Sequence, residues 1–246
     1  MCTVAVVACS GAGYIVAHNR DERRTRSRGI LPSEAGGPDA RILCPRDPDG
    51  GGTWVAVNRA GLTLCMLNAP DPEPERVPAS PVSRGTIPLE LMAASSLHQV
   101  RRLVKAIDLA RYRPFHLVAV STGKTGPGIL ELRWNGVRTV WTTHRPAALF
   151  VSSSLRQISA DRARGLVWDR FIAGNSEPGM EALAEFMENH EPEKSSLSTC
   201  MHREDAVTVS RTMIRTDTDR TAMEYKDGSP CDSAAPVSVH YLSRTD

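Results

Sequence analysis

Short apolar runs rich in β-branched residues alternate along this chain with segments in which apolar residues recur every three or four positions. Runs of the first kind predict β-strands, and spacing of the second kind predicts helices with one buried face. The predicted strands span 3–9, 14–17, 53–58, 62–67, 115–121, 128–134, 137–142, 149–152, 206–216, 220–225 and 237–242. The predicted helices span 87–95, 97–107, 159–173 and 178–189.

Strands followed by two helices, more strands, two further helices and closing strands predict antiparallel sheets with helices packed outside them. The composition does not change along the 246 residues in a way that would divide the chain, so we predict one domain over 1–246. Residues 29–52 are rich in Gly, Pro, Asp and Arg and predict a long loop over a sheet edge. The prolines of 70–81 exclude both strand and helix there.

Basic and acidic residues number 30 and 28, giving a net charge of +2. This near balance gives no reason to expect a nucleic-acid partner. There is no apolar run of about eighteen residues, so no stable membrane insertion is predicted. The first twenty residues lack the basic segment of a secretory signal, which favours a cytoplasmic location and reduced thiols for the six scattered cysteines.

Cys2 is the first candidate for chemistry, because removal of Met1 would make it the N-terminal residue. Its thiol would then titrate near about 8.5 and its α-amine near about 7.7–8.0. The amine can accept the proton of the thiol, so one residue supplies both nucleophile and base.

The first two predicted strands form a hairpin around 10–13, and a turn centred on Gly11-Ala12 would place Cys2 opposite Asp21. Side chains that face each other across such a pair lie about 4.5–5.5 Å apart at Cβ. We therefore expect the Asp21 carboxylate to orient the amine beside the thiol.

Two further residues are candidates for the same site. Asn68 follows the second hairpin and carries an amide that could donate to an oxyanion. Arg211 lies in an otherwise apolar strand, where an unpaired guanidinium would be costly. Strict alternation would place Arg211 on one face with Val207, Val209 and Met213.

Cysteine and histidine spacing gives weaker signals. Cys200-x-His202 could form half of a metal site, but the sequence shows no matching pair, so no metal is predicted. His202 could instead form a dyad with the Cys2 thiol, although a strand histidine with ordinary partners is the favoured interpretation. Cys44-Pro45 is similar to a haem-regulatory dipeptide, a two-letter motif that chance produces often.

Several ordered motifs resemble the NRDE family, also called the transport and Golgi organisation 2 family, which is related to the N-terminal-nucleophile hydrolases. An N-terminal Met-Cys is followed by Asn-Arg-Asp-Glu and then by Gly-Gly-Thr-Trp. These and the remaining matching segments lie at 1–2, 19–22, 51–55, 58–61, 64–66, 68, 83–85, 200–203 and 208–212.

The resemblance implies an α+β fold, a four-layer αββα sandwich of two antiparallel sheets flanked by helices. It also implies an N-terminal-cysteine amidohydrolase or acyltransferase that forms an acyl-Cys2 intermediate on a small-molecule amide or thioester. Related hydrolases place an asparagine near Asn68 as an oxyanion donor and an arginine near Arg211, close to the nucleophile.

The family motifs also suggest substrate-binding residues. These are Asn19, Arg20, Trp54 and Ser153. Two of them depart from the related hydrolases. Arg20 and Asp21 are adjacent here, whereas the hydrolase branch separates the arginine and the aspartate by two residues. Ser153 stands where the family often has an asparagine, and its shorter side chain weakens the second oxyanion contact.

The alternative function is a non-catalytic protein that binds and carries haem or a lipid or acyl group. The enzyme hypothesis needs no cofactor, whereas the carrier hypothesis admits haem. Neither hypothesis fixes the substrate or the oligomeric state.

Overall fold

The computed structural model describes residues 2–9, 13–35, 41–70, 78–123 and 126–244. Within these residues the chain forms two antiparallel sheets. The strands are β1 (Cys2–Ala8), β2 (Tyr14–Arg23), β3 (Ile30–Ala35), β4 (Ile42–Arg46), β5 (Val55–Asn58), β6 (Leu62–Asn68), β7 (Phe115–Ser121), β8 (Gly128–Trp134), β9 (Thr139–His144), β10 (Ala148–Ser152), β11 (Ala206–Thr216), β12 (Arg220–Asp227) and β13 (Val237–Ser243). The helices are α1 (Thr86–Leu91), α2 (Leu97–Val104), α3 (Gln157–Gly174) and α4 (Met180–Glu188), with a short 3₁₀ turn at Leu109–Arg111.

The first sheet has the strand order β10-β1-β2-β11-β12-β13, and the second has the order β3-β4-β5-β6-β7-β8-β9. Their facing surfaces form a central apolar core that includes Val4, Val16, Val55 and Leu67. No helix in the described part of the chain is both long and apolar enough to cross a membrane.

Each sheet carries helices on its outer face. Trp168 of α3 and Phe186 of α4 pack with Ala5 and Ile15 of the first sheet. Ile87 of α1 and Val100 of α2 pack in the same way on the second sheet. The alternation of side chains along each strand supplies these two apolar faces. The predicted αββα sandwich is therefore confirmed.

The loop predicted over 29–52 is wrong, because this segment contributes β3 and β4 at the edge of the second sheet. Ile42, Leu43 and Cys44 are buried there and extend the apolar layer. The many Gly, Pro and Asp residues of 29–52 are typical of loops, and for this reason the sequence did not predict the two short strands. The irregular segment predicted over 70–81 falls largely on residues 71–77, which lie outside the described residues.

The register of the first hairpin differs by one residue from the prediction. Cys2 pairs with Arg20, and Ala8 pairs with Tyr14. The Cys9 amide donates to the Gly13 carbonyl at 3.0 Å, so the connection is longer than the two-residue turn that we predicted. Since neighbouring strand residues point to opposite faces, Arg20 takes the position beside Cys2 that was expected for Asp21.

A bulge in β11 changes a second predicted face. The register shifts between Thr208 and Ser210, so Val207 pairs with Glu22 whereas Arg211 pairs with Asn19. Val207 and Arg211 therefore lie on opposite faces of the sheet. Strict alternation fails here because a bulge adds an unpaired residue to one strand.

Candidate functional site

Cys2 begins β1, which lies between β10 and β2 inside the first sheet. Its side chain points to the inner face, between the two sheets, and is only 6% exposed. Its backbone nitrogen donates to Ser152 Oγ at 2.9 Å, because Ser152 lies directly opposite on β10. Strand pairing on both sides thus fixes this end of the chain.

A cavity of about 310 Å³ lies at Cys2, between the ends of β1, β2 and β6. Its lining is strongly charged, and the residues that bear on the argument are Arg20, Glu22, Arg26, Asp47, Trp54 and Asn68. Arg84 and Arg113 also contribute to this lining. The cavity is therefore suited to a polar small molecule rather than to an apolar one.

Arg20 is the cation beside the thiol. Its guanidinium carbon lies 4.1 Å from the centroid of the Trp54 ring, and Nη2 lies 3.5 Å from Asp47 Oδ1. Stacking on an indole and pairing with a carboxylate both hold the guanidinium in place. Arg20 Nη1 is buried without a hydrogen-bond partner among the described residues. Buried donors are normally satisfied, so this nitrogen is available to a ligand.

Burial raises the pKa of the Cys2 thiol, and the Asp21 charge acts in the same direction. A hydrogen bond with the Asp21 backbone and the charge of Arg20 oppose this rise in the pKa without cancelling it. The resting thiol is therefore protonated near neutral pH. A nucleophilic role needs a base close to the sulfur.

The Asp21 carboxylate does not face Cys2, which corrects our expectation. Thr208 Oγ1 donates to Asp21 Oδ1 at 2.6 Å, and Arg164 Nη2 lies 3.7 Å from Oδ2, on the helix-covered face of the sheet. Burial raises the pKa of the Asp21 carboxyl, whereas the Arg164 charge lowers it. Asp21 remains next to the thiol through its backbone and contributes to the cavity lining.

Asn68 and Trp54 reach the same cavity as Cys2. Asn68 ends β6 of the opposite sheet, where its side chain is exposed. Trp54 is largely buried and lies against Arg20. These two expected residues and Arg20 are therefore brought together with Cys2.

Arg211 lies outside the cavity, on the helix-covered face. It pairs with Glu188 at 2.8 Å and with Glu224 at 3.0 Å. The bulge in β11 turns Arg211 to this face, away from the face on which Cys2 lies. The two carboxylates neutralise the Arg211 guanidinium, which would otherwise be a costly unpaired charge within an apolar strand.

Asn19 and Ser153 also lie outside the cavity. Asn19 Nδ2 donates to the carbonyls of Met187 and Thr199, at 2.8 and 3.0 Å. The Ser153 amide donates to Gln157 Oε1 at 2.7 Å, at the start of α3. Both contacts are structural. Ser152, which the sequence reasoning missed, is the serine that touches Cys2, and correct pairing of β10 with β1 would have found it.

His202 does not pair with the Cys2 thiol. Its Nε2 lies 3.4 Å from Cys200 Sγ and 3.4 Å from Cys231 Sγ. His190 Nε2 lies 3.2 Å from the same nitrogen. His190 and Cys231 are therefore the second pair of potential metal ligands, which the sequence alone did not reveal beside Cys200 and His202.

The two-sheet αββα sandwich of this chain is the N-terminal-nucleophile hydrolase-like fold, which it shares with two solved structures. The chain is similar to the C2A mutant of conjugated bile acid hydrolase from Clostridium perfringens, with a TM-score of 0.59, 10% identity and coverage of 100% of this chain and 97% of that one. It is also similar to the Caenorhabditis elegans orthologue of N-acylethanolamine-hydrolyzing acid amidase, with a TM-score of 0.58, 10% identity and coverage of 96% and 95%.

Residues 1–225 match the family described as Transport and Golgi organisation 2. The chain therefore belongs to this family, as the ordered motifs indicated. Among curated proteins, none matches the chain with significance.

Proposed function

We propose that this protein is an N-terminal-cysteine hydrolase or acyltransferase that acts on an amide or thioester of a polar small molecule. The observation that carries the proposal is the position of Cys2. Its side chain lies in the charged cavity beside Arg20, and its backbone nitrogen is held by Ser152. The hydrolase-like fold of the two structural neighbours supports the same class of reaction.

Removal of Met1 would turn the Cys2 nitrogen into an α-amine next to Ser152 Oγ. This amine takes the proton of the thiol, which burial otherwise keeps protonated. The sulfur then attacks the substrate carbonyl carbon and forms a tetrahedral oxyanion. An oxyanion is stabilised by hydrogen-bond donors, and Arg20 Nη1 and the Asn68 side-chain amide are the donors that we assign to it in this cavity.

Collapse of the oxyanion breaks the bond from carbon to the leaving nitrogen or sulfur, and the ammonium returns its proton to that atom. The acyl group is then held on Cys2 as a thioester. Water releases it as a carboxylic acid with a regenerated thiol, or an amine accepts it as a new amide. Both outcomes balance in atoms and protons and need no cofactor.

The lining of the cavity indicates the chemistry of the substrate. Four arginines and three acidic residues contribute, and Arg20 retains a donor without a partner among the described residues. An arginine donor favours a carboxylate or another planar anion. We therefore expect a substrate that carries a negative group close to its scissile carbonyl.

The test is intact-mass and peptide-mapping analysis after treatment with an amide or β-lactam electrophile. Wild type should lose Met1 and acquire one adduct on Cys2, and Cys2→Ala should acquire none. Cys9→Ala is the matched control, because Cys9 follows the same strand but lies outside the cavity. Equal adduct formation in wild type and Cys2→Ala would refute the proposal, as would retention of Met1 in protein that turns over substrate.

A further inference from the structure

We propose that His190, Cys200, His202 and Cys231 form a structural Zn²⁺ site. One ligand atom from each of these residues lies within 4.8 Å of all the others. Two imidazole nitrogens and two sulfurs are the donor set that tetrahedral structural zinc uses, whereas Mg²⁺ and Ca²⁺ prefer oxygen.

Three of the six separations among the four ligand atoms are close to those around one central ion, and the other three are at most 4.8 Å. With Zn–N of about 2.0–2.1 Å and Zn–S of about 2.3 Å, a tetrahedron separates two nitrogens by about 3.3 Å and a nitrogen from a sulfur by about 3.6 Å. The two nitrogens of His190 and His202 are 3.2 Å apart. His202 Nε2 lies 3.4 Å from each sulfur. An ion would need shifts of only about 0.2 Å in these three separations.

The ligands come from two segments that have little regular structure of their own. His190, Cys200 and His202 belong to the connection 189–205 between α4 and β11, and Cys231 belongs to the connection 228–236 between β12 and β13. Loops longer than about 12–15 residues without secondary structure are uncommon in compact domains. A bound ion would tie both connections together.

Hydrogen bonds from β11 already hold both ligand segments in place. Thr208 exchanges two of these bonds with Met201, because its amide donates to the Met201 carbonyl at 2.9 Å and its hydroxyl accepts from the Met201 amide at 2.8 Å. Ser229 Oγ donates to the Thr208 carbonyl at 2.9 Å. Met201 lies between two ligands, and Ser229 lies two residues before the fourth. Such outer contacts orient the ligands of metal sites before the metal binds.

Binding requires both cysteines as thiolates, so one Zn²⁺ displaces two protons and leaves the centre with no net charge. The same residues could instead lose two electrons to an external oxidant and form a Cys200–Cys231 disulfide. We favour zinc, because both histidine nitrogens converge on the sulfurs and a disulfide gives them no role.

The experiment measures zinc in the full-length protein purified from zinc-supplemented medium, by elemental analysis after desalting. We expect one equivalent per chain in wild type and background levels in Cys200→Ser/Cys231→Ser. The matched control is Cys9→Ser/Cys44→Ser, which removes two thiols outside the cluster and should retain the zinc.

A second measurement needs no variant, in case the double substitution prevents folding. Exchange of Co²⁺ into the wild-type protein should give intense visible bands of tetrahedral cobalt and a thiolate charge-transfer band. The proposal is overturned by substoichiometric zinc in wild type, by zinc that persists in folded Cys200→Ser/Cys231→Ser, by cobalt spectra without these bands, or by a Cys200–Cys231 disulfide in protein alkylated at lysis. None of these outcomes depends on adduct formation at Cys2.

Discussion

Replacement of Arg164 by leucine should be among the most destabilising substitutions in this protein. Arg164 is 1% exposed, and its Nη1 donates to Thr3 Oγ1 at 2.5 Å. Its other nitrogens donate to the carbonyls of Leu197 and Ser196, both at 3.3 Å, and Nη2 lies 3.7 Å from Asp21 Oδ2. Loss of one partner from a buried ion pair costs about 3–5 kcal/mol. That is a large part of the total stability of about 5–15 kcal/mol expected for a domain.

The measurement is urea denaturation followed by tryptophan fluorescence. Arg170→Leu is the control, because Arg170 lies on the same helix in an exposed pair with Glu191 and should cost at most about 1 kcal/mol. In a double-mutant cycle, Arg164→Leu should cost less in an Asp21→Asn background, since no carboxylate charge is then left without its cation. Equal costs in both backgrounds, or a cost as small as that of Arg170→Leu, would refute the reasoning.

The same substitution has a defined pH dependence. Burial raises the pKa of Asp21 in the folded protein above its ordinary value, and Arg164 opposes this rise. Between the unfolded and the folded pKa of this carboxyl, the folded state binds more protons, so the contribution of Asp21 to stability falls as pH rises. Loss of Arg164 raises the folded pKa further. The penalty for Arg164→Leu should therefore be larger at pH 7 than near pH 4.

Three further predictions concern the cavity and its surroundings. Arg20→Ala should slow acylation of Cys2 by about tenfold or more, which corresponds to the loss of about 1.4 kcal/mol or more in transition-state stabilisation. An unchanged acylation rate would contradict this prediction. Arg211→Leu should lower the urea midpoint because Glu188 and Glu224 lose their cation, yet leave the acylation rate unchanged; a slower rate would restore it as a site residue. Haem titration should give no shifted Soret band, since no histidine lines the cavity within the described residues, burial raises the pKa of the Cys2 thiol and so disfavours the thiolate, and Cys44 is buried under the helices. A stoichiometric shift would favour the carrier alternative.

Local patterns were sufficient to predict most of the elements. Val100, Leu103 and Val104 have the spacing of one buried helical face, and the structure places them in α2 against the second sheet. This works because amphipathic periodicity reports which side of an element meets the core. In 29–52, the frequent Gly, Pro and Asp residues interrupt the apolar pattern, so the sequence did not predict β3 and β4.

The register of strand pairing could not be predicted from the sequence, and this register decides which side chains face the cavity. A change of one residue in the connection after β1 exchanges the faces of Arg20 and Asp21. The bulge at β11 likewise moves Arg211 away from the face predicted for it. Both depend on backbone hydrogen bonds that no side-chain pattern specifies. His190 and Cys231 escaped notice for a related reason, because only folding brings such distant positions to Cys200 and His202.

Arg20 and Asp21 are adjacent on β2, unlike the arginine and aspartate of the related hydrolases. Because they are adjacent, they point to opposite faces of the sheet and make different contacts. Arg20 faces the cavity and the Cys2 thiol, and Asp21 faces the helices, where Thr208 and Arg164 hold it. Arg164 also donates a hydrogen bond to Thr3, the residue after Cys2. The outer face therefore anchors the two strands whose inner face presents the thiol. Since Thr208 also bonds both segments that carry His190, Cys200, His202 and Cys231, those segments and β2 share one anchor on β11, and β2 in turn pairs with the Cys2 strand.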